Sequence, residues 1–167
     1  DKRNIISVVE KIGRGDQLME NERYVAHYVM YLVEIGKKIS EMETPIQEFV
    51  KICNSYLYGK SFIFDNVSYD VIISHNWGKP VDLEELSSGE KQIVSLFSHL
   101  LLDGEQENYI VIDEPELSLS VDWQLRFLED VCRLESCKLL CAVTHSPFIF
   151  ENSLDSHTVD LMEVTGQ

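Results

Sequence analysis

The sequence has 167 residues, 44% of them apolar, enough to bury one sizeable core; this excludes a disordered or fibrous chain. Its 14 Lys and Arg stand against 29 Asp and Glu, a formal charge of −15, so most of its surface repels a phosphate backbone and nucleic-acid contact needs a local patch. It has no basic start followed by an apolar run of signal-peptide or membrane-spanning length, and a soluble, cytoplasmic protein with no membrane contact is expected.

Residues 1–60 read as a helical segment. Apolar positions recur at helical spacing through Tyr24, Val25, Tyr28, Val29, Leu32 and Ile35, and again through Ile46, Phe49, Val50, Cys53 and Leu57. The second run is expected to be a separate helix: Thr44 can cap it, Pro45 suits its first turn, Gln47 completes a capping box, and Gly59 ends it. Two short β-type runs follow, Ser61 to Phe64 and Val67 to Ser74, with Asp65-Asn66 as the expected hairpin turn. The stretch Asn76 to Pro80 reads as an exposed turn.

From Leu86 onward helix and strand alternate. A helix is predicted through Ile93 to Leu102, a strand over Tyr109 to Ile112, a helix through Trp123 to Leu134, a strand over Lys138 to Val143, and a further strand over Thr158 to Val164. Apolar strands joined by crossover helices predict an α/β fold, with a mostly parallel sheet covered on both faces. The four cysteines, Cys53, Cys132, Cys137 and Cys141, match no zinc or redox spacing; three lie in segments that read as buried helix or strand, as small core residues in a reducing compartment would.

Three short motifs carry chemistry. The strand ending in Asp113-Glu114-Pro115 delivers two adjacent carboxylates to the C-terminal edge of the sheet, where ligands of open α/β folds bind. Paired like charges there suit a bound cation or the activation of water, although Asp-Glu-Pro can also simply end a strand and cap a helix. Leu86-Ser87-Ser88-Gly89-Glu90-Lys91-Gln92 directly precedes a helix, where a serine hydroxyl and free backbone amides can meet a phosphate; a plain serine N-cap would look the same. Val143-Thr144-His145-Ser146-Pro147 sets an imidazole at the same edge as the carboxylates. A lone histidine there is usually structural, but three such elements in one order, each at a junction between strand and helix, point to a nucleotide site.

Residues 83–150 resemble the C-terminal part of ABC-type ATPases, in the branch that includes SMC and RecF chromosome proteins, OLD nucleases and many bacterial defence ATPases. Leu86 to Gln92 resembles that branch's signature loop, Asp113-Glu114-Pro115-Glu116-Leu117-Ser118-Leu119 its magnesium strand and D-loop, and Thr144 to Ile149 its switch-histidine segment. The resemblance implies that residues 61–167 are the C-terminal part of an ATPase head, and that residues 1–60 belong to a helical lobe or insertion. It implies ATP and Mg²⁺ as ligands, with Asp113 on the metal and Glu114 and His145 catalytic, at the attacking water and the γ-phosphate. Ser87, Ser88, Gly89 and Glu90, with Ser118 at the seam, would meet a nucleotide held by a second subunit, so a homodimer or higher homo-oligomer formed through the heads is expected.

Two departures stand out. Close relatives often carry His-Pro where this chain has Ser120-Val121, so contacts made by that pair do not carry over. The Gly-x-x-x-x-Gly-Lys-[Ser/Thr] phosphate loop is absent: Lys11-Ile12-Gly13-Arg14-Gly15-Asp16 has glycines but no lysine after them. In this branch that loop lies far upstream of the signature, and a chain that begins at Asp1 without methionine is expected to begin inside the intervening insertion. The segment alone should therefore be inactive. The leading expectation for the intact protein is ATP hydrolysis that drives or gates a DNA-directed activity in anti-phage defence or DNA repair. The alternative is a nucleotide-gated scaffold that holds a partner effector such as a nuclease, with little turnover.

Overall fold

The computed structural model describes residues 2–103 and 107–161. The chain divides into two compact units, Asp1–Pro45 and Ile46–Gln167, and every motif above falls in the second.

The first unit holds helix α1 (Lys2–Arg14) and most of α2 (Glu20–Tyr56). Helix α1 ends in a Schellman motif: Gly15, at φ 73°, donates its amide to Ile12 O and Asp16 donates to Lys11 O. Gly13 is thus a helical residue and Gly15 a helix stop. Lys11 pairs with Glu22 at 2.6 Å, and the Glu22 carboxylate also accepts the Met19 amide, capping the start of α2.

One expectation is corrected here. No second helix starts at Thr44; α2 runs unbroken from Glu20 to Tyr56 with Pro45 inside it. Thr44 is not an N-cap, since its hydroxyl donates backward to Ser40 O at 2.8 Å. Pro45 has no amide to give to the carbonyl one turn earlier, so the helix lacks one ladder bond there.

In the second unit, strands β1 (Lys60–Asp65) and β2 (Asp70–His75) form an antiparallel hairpin in register from Lys60↔His75 to Asp65↔Asp70. The turn is residues 66–69 rather than Asp65-Asn66. Asp65 reaches forward to accept the Val67 amide at 2.8 Å, and Tyr69 takes φ 60° to bring the chain back. Asn54 of α2 gives β1 the pair of bonds a neighbouring strand would supply: Nδ2 donates to Phe62 O at 2.9 Å and Oδ1 accepts Phe62 N at 2.7 Å. Phe49 and Phe62 meet edge to face beneath them.

Helix α3 (Ser88–Leu102), strand β3 (Asn108–Asp113), helix α4 (Val121–Cys132) and strand β4 (Cys137–Val143) follow, with β3 and β4 parallel and in register from Tyr109↔Leu139 to Asp113↔Val143. The fold is the expected α/β. Ile93, Phe97 and Leu100 of α3, Phe127, Leu128 and Val131 of α4, and Ile110 of β3 are buried together, with Ile112, Leu140 and Ala142 against them. Tyr56, buried at the end of α2, donates to Asp130 at 2.7 Å and stacks beneath the Arg126 guanidinium.

The sheet is covered on one face only among the described residues. Residues of alternate parity, Tyr109, Val111, Leu139, Cys141 and Val143, point away from the core and are exposed, because α3 and α4 pack on the same side. The cysteine reading changes accordingly: Cys53 is buried, with its thiol pushed up to about 12 by desolvation, whereas Cys137 is half-buried and Cys132 and Cys141 are exposed. No strand forms at Thr158 to Asp160, and Met162 to Val164 of that expected strand lie outside the described residues.

Candidate functional site

Ser87 takes an extended conformation and caps α3. Its Oγ accepts the Glu90 amide at 3.3 Å, while Glu90 Oε2 accepts the Ser87 amide at 2.8 Å, a complete capping box. The same Glu90 oxygen meets Lys60 Nζ of β1 at 2.8 Å. Burial raises the Glu90 pKa, but Lys60 and the Ser87 amide outweigh it and hold the carboxyl below its usual range. Glu90 is thus a buried brace, while Ser87 and Ser88 are exposed. Because Oγ serves as the acceptor, the Ser87 hydroxyl proton remains available to a ligand.

Gly89 is buried, and a Cβ there would lie 2.3 Å from Ser118 O and 3.3 Å from the Trp123 ring. Only glycine lets the first turn of α3 touch the turn after β3. That turn is itself constrained: Glu114 and Ser118 hold φ of 48° and 64°, a left-handed conformation costing about 1–2 kcal/mol for a residue with a side chain. Leu117 N bonds Glu114 O at 3.1 Å, Leu119 N bonds Glu116 O at 3.0 Å, and Pro115 is fully buried.

At the sheet edge, Glu114 N donates to Val143 O at 2.8 Å, carrying the β3–β4 ladder one residue past Asp113. Asp113 and Glu114 therefore leave the sheet where Val143 ends β4, and His145 follows two residues later. Among the described residues, the side chains of Asp113, Glu114 and His145 make no hydrogen bond or ion pair; Asp113 and His145 are exposed and Glu114 half-buried. Polar groups to which the sequence reading gave no role of their own organise this edge. Glu116 accepts Thr144 Oγ1 at 2.7 Å and the His145 amide at 2.9 Å; Gln124 of α4 donates to Leu119 O at 2.9 Å and accepts Ser146 Oγ at 2.7 Å. Burial pushes the Glu116 carboxyl up, and these donors more than reverse the effect, leaving it below the usual range. Glu116, Gln124 and Lys60 carry no sequence signal of their own, since each acts on a residue distant in the chain.

No group of three or more His, Cys, Asp or Glu among the described residues could hold a metal. Asp113 nevertheless fits Mg²⁺, which takes one or two carboxylates and fills its remaining positions with water and phosphate oxygens. A magnesium ion here would come with the nucleotide it neutralises.

A parallel β–α–β unit thus carries an acidic strand end and a histidine after its second strand, next to a serine-capped helix start. The sequence model of the family described as "AAA domain, putative AbiEii toxin, Type IV TA system" matches residues 5–151, so the chain belongs to this AAA family of nucleotide-binding ATPase domains. No curated protein matches it. No helix among the described residues is long and apolar enough to cross a membrane.

Proposed function

We propose that this chain supplies the catalytic carboxylates, switch histidine and signature loop of an ATPase in the SMC, RecF and OLD-like branch, acting as a dimer of heads. The observation that carries this reading is the sheet edge. There the Glu114 amide donates to Val143 O, and among the described residues the side chains of Asp113, Glu114 and His145 make no hydrogen bond or ion pair.

In this mechanism Asp113 would hold Mg²⁺, which when bound would neutralise charge on the phosphate oxygens. Glu114 accepts a proton from the attacking water as its oxygen bonds to the γ-phosphorus. The bond from that phosphorus to the bridging oxygen breaks, and ADP leaves with the electron pair. The strained backbone at Glu114 serves this role by aiming a carboxylate that a relaxed strand end would direct elsewhere. His145 contacts a γ-phosphate oxygen. Ser87, Ser88 and Gly89 face the nucleotide of the second subunit, Glu90 keeps their loop in shape, and Ser118 lies at the seam.

The output is a DNA-directed activity in anti-phage defence or repair. Given the charge of −15, DNA is met through a local patch or another part of the assembly. In the intact protein, Glu114→Gln should slow the chemical step by about 10² to 10⁴ while ATP binding persists. Steady-state turnover unchanged by that substitution removes the base assignment, whereas single-turnover hydrolysis that is slow or absent in both proteins favours a nucleotide-gated scaffold for a partner effector.

A further inference from the structure

We propose that Glu116 is the positioning residue for His145, fixing through its side-chain carboxylate where the switch imidazole stands; this rests on the ATPase reading above. Both of its oxygens are engaged by consecutive residues of another segment: Oε2 by Thr144 Oγ1 at 2.7 Å and Oε1 by His145 N at 2.9 Å. Thr144 Oγ1 in turn accepts the Ser146 amide at 3.0 Å, so three successive residues are indexed to one carboxylate.

The carboxylate is not needed to close its own turn, which Leu117 N to Glu114 O and Leu119 N to Glu116 O already close through the backbone. The His145 side chain has no partner among the described residues, so its place is set by its backbone. That backbone is held at its amide by Glu116. A carboxylate is required because the two donors, a hydroxyl and an amide, need two acceptor oxygens. Glutamine keeps the shape of glutamate but turns an NH₂ toward one of those donors. Glu116 is only two residues beyond Glu114, so the proton acceptor and the γ-phosphate contact are built from one turn.

The test uses the intact protein and two readouts. In Glu116→Gln, amide exchange at His145 should accelerate about tenfold or more, the weight of one hydrogen bond to a charged acceptor. Single-turnover hydrolysis should fall as well, but Glu116→Gln should cost nothing further in a His145→Ala background, because it acts through that histidine. Thr144→Val, which removes the hydroxyl and keeps the shape, should move both readouts in the same direction. An equal fold-loss in both backgrounds, or unchanged exchange at His145, overturns the proposal. A wild-type protein that hydrolyses no ATP removes the ATPase reading itself, and exchange at His145 then decides alone whether Glu116 orders the switch segment.

Discussion

Ser87 shows how two roles can occupy one side chain. It caps α3 with a lone pair, and in the proposed function its hydroxyl proton would meet a phosphate. Substitutions separate the roles: Ser87→Asn keeps a capping oxygen, whereas Ser87→Ala loses the cap, at a cost of about 0.5–2 kcal/mol. If Ser87 only caps, Ser87→Asn should leave both thermal stability and ATPase activity near wild type. We expect stability to hold and activity to fall, because the amide is bulkier where a phosphate must enter. The placement of Asp113, Glu114 and His145 at or just past the ends of strands was legible in the sequence, because each follows an apolar run. Glu116 was not singled out: an acid in a loop looks solvated until the fold brings Thr144 and His145 to it.

Among the elements, the helices and strands from Leu86 to Val143 were predicted nearly as they occur, because apolar runs and crossover helices leave few alternatives, whereas no strand forms over Thr158 to Asp160. Helix α2 was misread at Pro45. Thr-Pro-x-Gln is a strong start signal, yet burial of Phe49, Cys53 and Tyr56 on the helix face beyond it overrides local preference. Pro45→Ala should therefore restore a ladder bond and raise unfolding stability, by at most about 3 kcal/mol, as measured by denaturant melts. A lower stability would mean that the proline fits a bend the helix requires. The hairpin turn was misplaced for a different reason: the conformation that closes it belongs to Tyr69, a residue type that gives no turn signal.

At the scale of the whole molecule, the proposed action in trans would make the dimer an integral part of each site. Ser87→Arg should abolish ATP-dependent dimerisation and hydrolysis while sparing nucleotide binding by one subunit. Mixing Ser87→Arg with Glu114→Gln subunits leaves one composite site in which an intact base faces an intact signature, and hydrolysis should partly recover. Activity in Ser87→Arg alone would exclude the trans arrangement. Composition could not foretell that, among the described residues, one face of the parallel pair stays uncovered, since strands buried on one face or on both read as apolar runs alike.

Gly89 and Ser118 occupy what is in effect a single volume: the hydrogen of the one lies where the carbonyl of the other requires it. The two positions therefore cannot drift independently over generations. A descendant that acquires any side chain at position 89 must reroute the chain after β3, and with it the left-handed step at Ser118 and the direction in which Glu114 departs. The identity of one residue at the head of a helix thus records which path was inherited by a loop on another strand.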